Sequence, residues 1–357
     1  MHNEHLTGMK NILNRESVIK FKKLIEGSDN VILTCHIRPD GDAIGSSLGL
    51  YHLLRAMGKA VHVVVPDRPP RSLAFLPGFK DIAVNTQYDP YCSRLINEAS
   101  LILMCDFNTY SRLGDLASMI EGAECPKVLI DHHRDPDIGC DVCFSYPGMS
   151  STCEVVFRLI AACGWWEDVD LNSATALLTG LITDTRNFTV NCNNPEIYDI
   201  LIRLLEKGVD KKKIIDEALN ATSLNALRLN SFAITERLEI FEKSRCALIT
   251  LSKSDLETYH YQKGDTEGLV NIPLDVRGMV YSIFMREDND CIKVSCRSKY
   301  DFPVCDVCSQ LYNGGGHLMA AGGEFYGSLE DCRELFVKNM HKFDHFVPTN
   351  LEKLDIR

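Results

Sequence analysis

Long apolar runs are what this chain of 357 residues lacks: none approaches the roughly 20 consecutive apolar residues that cross a bilayer. Met1 to Lys10 is polar and carries two histidines, so it does not form the apolar core of a secretion signal. These absences read as a cytoplasmic chain with no membrane partner. Positive charge is short as well, with 38 lysines and arginines against 49 acids and a formal net charge of −11. That balance excludes a broad basic face neutralising many phosphates, and with it a grip on long duplex nucleic acid. Small or short anions stay open if bound cations supply local positive charge. Internal repeats and low-complexity segments are missing too. What is present is 45% hydrophobic and 24% charged, a composition for folded domains in a chain long enough for two cores.

Cysteine is the exception to scarcity, at 15 residues. They are scattered, and several sit inside apolar runs, as Cys35, Cys105 and Cys246 do, which reads as buried free thiols in a reducing compartment. Two Cys-Asp-Val-Cys pairs, Cys140/Cys143 and Cys305/Cys308, have the spacing of half a zinc site. They lie far apart in the chain and lack the flanking turn glycines of a zinc ribbon, so no structural zinc is assigned to them.

In the first half, short apolar runs alternate with amphipathic stretches, the pattern of a parallel sheet covered by helices. Val31 to Cys35, Val61 to Val65, Leu101 to Cys105 and Val128 to Ile130 read as strands, and Ala43 to Met57 as a helix. From Ser151 to Leu205 the period is helical, with Asn172 or Ser173 placed to cap Ala174 to Ile182 and Pro195 opening another helix. Lys207 to Lys213 is polar, and Glu217 to Leu229 reads again as helix. The strand-like runs Cys246 to Leu251, Met279 to Met285 and Ile292 to Cys296 predict a smaller mixed sheet with helices, so the chain passes from one domain to the next between residues 195 and 235.

Polar residues follow the apolar runs directly: His36, Asp106 and Asp131 each stand at the end of one, where sites assemble in open parallel sheets. In Thr34-Cys-His-Ile-Arg-Pro-Asp-Gly-Asp, Pro39 and Gly41 bend the loop so that His36, Asp40 and Asp42 can converge. Buried together without a partner such groups repel or stay unsatisfied, and a divalent cation resolves the conflict. An aspartate there would also serve as an ordinary helix cap. Asp106 alone is only an acid at a strand end, whereas Asp131-His132-His133 joins a carboxylate to two imidazoles. Asp184 closes an apolar helix-like stretch, where a negative charge opposes the helix dipole and calls for compensation. The set mixes nitrogen and oxygen donors in numbers that suit two manganese-like ions sharing a carboxylate, an arrangement for in-line attack on phosphorus. Far downstream, Asn313-Gly-Gly-Gly-His leads into Leu-Met-Ala-Ala-Gly-Gly, read as a glycine-rich turn and the start of a small-residue helix. Its backbone N–H groups and the nearby Arg297 are donors suited to phosphate, and the adjoining His317 adds to that reading.

With its triplet Asp131-His132-His133 and its glycine-rich element, the chain resembles the DHH phosphoesterase family and the DHHA1 domain that accompanies it, from about Val31 to about Gly323. Within that family it is most similar to the branch of bifunctional oligoribonucleases and pAp phosphatases. The resemblance implies an α/β fold in which a parallel-sheet DHH domain with helices on both faces precedes a smaller α/β DHHA1 domain, with the active-site cleft between them. The expected boundaries are a catalytic domain over 1–195, a helical linker over 196–234, a substrate-binding domain over 235–345 and a tail over 346–357. It implies two divalent metal ions, manganese being expected, one held by His36, Asp40 and Asp106 and the other by Asp42, Asp106, His132 and Asp184. His133 would contact the phosphate and protonate the leaving group, and Asp131 would orient the imidazoles. Arg297, Ser298, Gly314, Gly315, Gly316 and His317 would hold a short RNA or a 3′-phosphorylated nucleotide, and a homodimer is expected of the branch. Two positions depart from the branch: Arg186 stands where a small residue is common after Asp-Thr, and Cys296 where an aliphatic one is usual. Pyrophosphate, polyphosphate or cyclic dinucleotides are the alternative substrates. A non-catalytic nucleotide sensor is disfavoured because none of the expected ligands is missing.

Overall fold

A computed structural model describes residues 10–354 apart from 221 and 352. The chain divides into two units, Met1–Ala221 and Thr222–Arg357. In the first, the elements run α1 (Arg15–Glu26), β1 (Asn30–Thr34), α2 (Gly41–Ala56), β2 (Ala60–Val65), β3 (Ala83–Val84), α3 (Asn85–Asn97), β4 (Leu101–Cys105), α4 (Ala117–Gly122), β5 (Lys127–Asp131), β6 (Val142–Ser145), α5 (Thr152–Cys163), α6 (Leu171–Asp184), α7 (Glu196–Glu206) and α8 (Lys211–Ile214). The six strands lie in the order β3-β2-β1-β4-β5-β6, and every neighbouring pair is parallel.

The strands are apolar without interruption because both sheet faces are covered. Val31, Leu33, Val63, Leu103 and Ile130 pack on one face with apolar residues of α1, α2, α5, α6 and α7. Ile32, Val64, Ile102, Met104 and Leu129, the alternate positions, pack on the other with Leu95 and Ile96 of α3 and with Leu113, Leu116 and Ile120. The chain runs outward from β1 in both directions, to β2 on one side and to β4 on the other. The carboxyl ends of β1 and β4 therefore border the crevice that such a reversal opens.

Helix α2 is buried along nearly its whole length and crosses α6 closely. Glycines make the crossing possible: a Cβ on Gly45 would lie 2.6 Å from the Ala176 carbonyl oxygen, and one on Gly180 2.2 Å from the Cys153 Sγ. At the start of α6 the cap is Asp170, whose carboxylate accepts from the Ser173 N–H, and not Asn172 or Ser173. The helix thus begins a turn earlier than its apolar pattern indicates.

The second unit contains α9 (Leu224–Glu236), β7 (Leu238–Phe241), β8 (Cys246–Leu251), α10 (Lys253–Thr258), β9 (Tyr281–Glu287), β10 (Ile292–Ser298), α11 (Val304–Leu311), β11 (Gly315–His317), β12 (Ala320–Phe325) and α12 (Leu329–Asn339). Its sheet has the order β11-β12-β10-β9-β8-β7 and is antiparallel except between β8 and β9. Two sequence expectations fail here. The helix read over Glu217 to Leu229 is interrupted: a π turn over Ile215–Leu219 ends the first unit's helical run, and Ser223 caps a fresh helix by accepting from the Ala226 N–H. The small-residue stretch after His317 is strand β12, because its glycines and alanines let neighbouring backbones close on it. A Cβ on Gly323 would fall 2.5 Å from the Tyr312 carbonyl oxygen. Of the stretch anticipated as a linker, α7 packs Ile197, Ile200 and Leu204 into the first unit's core, whereas Leu229 and Ala233 of α9 pack against β8 and β9 in the second.

Candidate metal centre and active site

His36 stands two residues past the end of β1. Its Nδ1 lies 2.7 Å from the Ile37 carbonyl oxygen and donates to it, which turns Nε2 toward the acidic cluster. That Nε2 is buried with no hydrogen-bond partner, 3.3 Å from an Asp106 oxygen and 3.7 Å from an Asp40 oxygen. Asp40 caps α2: one of its oxygens accepts the N–H groups of Asp42 and Ala43, both at 3.0 Å, and the other turns to His36. Asp42, fully buried, accepts from the N–H groups of Thr152 at 2.6 Å and Cys153 at 2.9 Å, so the N-terminus of α5 stabilises its charge.

Asp106 follows β4 in a left-handed conformation, φ 66°. Strain of this kind persists only where the surroundings over-determine it. Its N–H still joins the ladder through the Ile130 carbonyl oxygen, and its carboxylate accepts from the Thr152 hydroxyl at 2.9 Å. Asp131 ends β5 and accepts from Nδ1 of His133 at 2.7 Å, while its second oxygen is buried without a partner. Nε2 of His132 lies 3.4, 3.6 and 3.9 Å from oxygens of Asp184, Asp106 and Asp42.

Three triads result, His36 with Asp40 and Asp106, Asp42 with His132 and Asp184, and Asp106 with His132 and His133, the ligand atoms of each lying within 4.8 Å of one another. All six residues expected as metal ligands thus meet at one place, with Asp106 in the first and third triads and 3.6 Å from Nε2 of His132, which belongs to the second. The electrostatics describe a site short of positive charge. Burial and the charges of Asp106 and Asp40 push the Asp42 carboxyl up to about 7, although His132 and the Cys153 N–H oppose the rise. Burial and the charges of Asp42, Asp106 and Asp40 push the Asp184 carboxyl up to about 10. Burial disfavours charge on His36, but the facing carboxylates of Asp106 and Asp40 prevail and raise it to about 10. The orphaned His36 Nε2, the mixed nitrogen and oxygen donors and the mutually repelling carboxylates all fit divalent cations.

Two further residues contribute beyond those that the sequence singles out. Thr152 serves both Asp42 and Asp106, and the Ser-Thr-Cys-Glu spacing of a capping box at residues 151–154 was its available signal. Arg112, in the 3₁₀ segment Tyr110–Leu116, donates from Nη1 to Nε2 of His133 at 2.9 Å, and nothing local in the sequence marks it. With Nδ1–H given to Asp131 and Nε2 accepting from Arg112, neither ring nitrogen of His133 presents a free proton. To protonate a leaving group it would first have to exchange partners.

The second unit assembles the remaining candidates along its sheet. Arg297 of β10 stands opposite Ala320 of β12, which stands opposite His317 of β11, so Arg297 and His317 share one face with a small residue between them. Ser298 is turned inward, its hydroxyl donating to the Phe302 carbonyl oxygen at 2.6 Å. Gly314 leads into β11, where Gly315, Gly316 and His317 are exposed on the sheet's edge strand. Gly316 has φ 143°, and a Cβ there would meet the Ala320 carbonyl oxygen at 2.7 Å.

The pattern of the DHH family, N-terminal domain, matches residues 30–181, and that of the DHHA1 domain matches residues 256–343. The chain is 31% identical over 313 residues to the bifunctional oligoribonuclease and PAP phosphatase NrnA of Thermus thermophilus, covering 87% of this chain and 88% of that protein. It is 28% identical over 310 residues to the protein of the same name from Bacillus subtilis, covering 86% and 93%. Among solved structures, an exopolyphosphatase-related protein from Bacteroides fragilis superposes with a TM-score of 0.92 at 39% identity, covering 95% of this chain and 99% of that one.

Proposed function

The chain belongs to the DHH family, as a metal-dependent phosphoesterase with a DHHA1 domain, and from that premise we propose that it removes the 3′-phosphate of pAp and trims very short RNA from an end. The observation that carries the reading is the meeting of the triads His36–Asp40–Asp106 and Asp42–His132–Asp184, with Asp106 3.6 Å from the His132 imidazole and a buried His36 nitrogen that has no other partner. Its likeness to the two NrnA proteins supports the choice of ester. Two divalent ions, manganese by the donor set, would acidify a water and polarise the phosphoryl oxygens.

The protein's own groups define the rest. His36, Asp40 and Asp106 would hold one ion, and Asp42, Asp106, His132 and Asp184 the other. The N–H groups of Thr152 and Cys153 and the Thr152 hydroxyl keep the Asp42 and Asp106 carboxylates in place, so little reorganisation accompanies loading. Asp131 holds the His133 ring through Nδ1. Arg297, His317 and the backbone of Gly314, Gly315 and Gly316 would bind the substrate's remaining phosphate or ribose, with Ser298 supporting the loop through Phe302.

The test is product release from pAp, an RNA trimer, a long single-stranded RNA, a cyclic dinucleotide and pyrophosphate, each with Mn²⁺ and with EDTA. Metal-dependent turnover of pAp and the trimer, well above the others, is the expected result. If pyrophosphate alone turned over well, the reading would give way to a pyrophosphatase.

A further inference from the structure

We propose that Arg112 is a phosphate-binding residue of the first unit, directing free guanidinium N–H groups at non-bridging oxygens of the phosphate while one N–H fixes His133. The proposal rests on the phosphoesterase reading of the site, but not on which ester is cleaved. Arginine carries five N–H donors in a rigid fork that matches phosphate. Among the described residues, the Nη1 contact with His133 at 2.9 Å accounts for the hydrogen bonding of its side chain. No carboxylate of a described residue lies within 4.0 Å of the guanidinium. A half-buried cation beside an acidic cluster is thus set against a ring nitrogen and not against an acid, and its charge remains to be met by an anion.

The backbone around Arg112 is held to the metal-binding loop. Its carbonyl oxygen accepts the Ile37 N–H at 2.7 Å, next to His36, and its own N–H donates to the Thr109 carbonyl oxygen at 3.1 Å. Gly114, at φ 54°, lets the segment close on that loop, since a Cβ there would touch the Ile37 side chain at 3.0 Å. The guanidinium is therefore positioned from both sides, through Ile37 and through His133. The second unit supplies Arg297 for a phosphate, and Arg112 is the corresponding group built into the metal-bearing unit itself.

Three variants separate binding from mere support of His133. Arg112→Gln keeps an N–H able to reach Nε2 but loses the charge and the fork; Arg112→Lys keeps the charge; Arg112→Ala loses both. The readouts are inorganic phosphate binding to the manganese-loaded protein by calorimetry, bound manganese by elemental analysis, and kcat and KM on pAp. The expected result is phosphate affinity weakened about tenfold or more, and kcat/KM about a hundredfold or more, in both the Gln and Ala variants. Lys should recover part of each, and manganese content should match the wild type in all. Should Gln restore phosphate binding and turnover, Arg112 only props His133 and the proposal is wrong. Wild-type behaviour of Arg112→Ala would overturn it as well. The Gln variant decides the matter if Ala fails to fold. A protein that prefers pyrophosphate to pAp would revise the ester reading while leaving the phosphate-binding result intact.

Discussion

Asp106 occupies a left-handed backbone position, accepts from Thr152 and belongs to two of the three triads, so its replacement tests the shared-ligand arrangement most directly. Asp106→Asn should lower kcat on pAp by more than about 10³-fold, because it weakens both ion sites at once. In EDTA the same variant should melt at or above the wild-type temperature, since it relieves repulsion with Asp42 and leaves an oxygen to accept from Thr152. Retained turnover, or a large loss of stability without metal, would show that Asp106 is chiefly structural. The titration of the cluster gives a second test. Asp42 at about 7, Asp184 at about 10 and His36 at about 10 all hold protons more tightly folded than unfolded. Each therefore contributes stability at low pH that is lost as pH rises through its folded value. In EDTA the melting temperature should fall from about pH 6 to about pH 8.5, and the gain on adding Mn²⁺ should widen over the same window. A flat or shrinking gain in scanning fluorimetry would contradict the charge description. At this scale most of the candidate site was legible, because His36, Asp106 and the Asp-His-His triplet stand directly after apolar runs and Asp40 lies in the loop that His36 opens. Arg112 and Thr152 did not show, since their roles depend on contacts with residues 21 and 46 positions away.

Helices α2 and α6 carry Asp42 and Asp184 to the same place, and their separation is set by glycine. A Cβ on Gly180 would meet the Cys153 Sγ at 2.2 Å and an Asp42 carboxylate oxygen at 2.8 Å, whereas one on Gly122 would meet nothing within 4 Å. Gly180→Ala should therefore cost about 1–3 kcal/mol by overpacking and weaken Mn²⁺ binding through Asp42. Gly122→Ala should do neither. Urea midpoints and metal titrations compare the two, and equal behaviour would deny that the close crossing positions the ligand. Element types in the first half were legible because strand and helix periods differ plainly there. The second half misled where small residues dominate: the alanines and glycines at 320–323 fit a helix or a crowded strand equally well by composition, and backbone approach from Tyr312 decided for the strand. The strand periods of the first half are plain, but the buried β3 is only two residues long and the exposed edge strand β11 buries too little to leave a pattern.

For the molecule as a whole, a net charge of −11 leaves cationic character to particular arginines and to bound metal, not to a surface. A duplex of two helical turns should therefore compete poorly with pAp at moderate salt, and raising salt should alter KM for pAp only modestly. Tight duplex binding with a steep salt dependence, measured by fluorescence anisotropy, would require a basic groove and refute this. The chemistry-bearing residue types and their order along the chain were determined by the sequence alone, because a metal centre needs histidine and aspartate whatever fold presents them. So was the parallel sheet, because strands buried on both faces must be apolar throughout. Which hydrogen bonds hold Asp42 and Asp106, and which arginine reaches the imidazole, were decided only in the tertiary structure. Those are relations between segments brought together by a sheet whose order reverses at β1 and β4, and sequence spacing does not contain the distances that such a reversal creates.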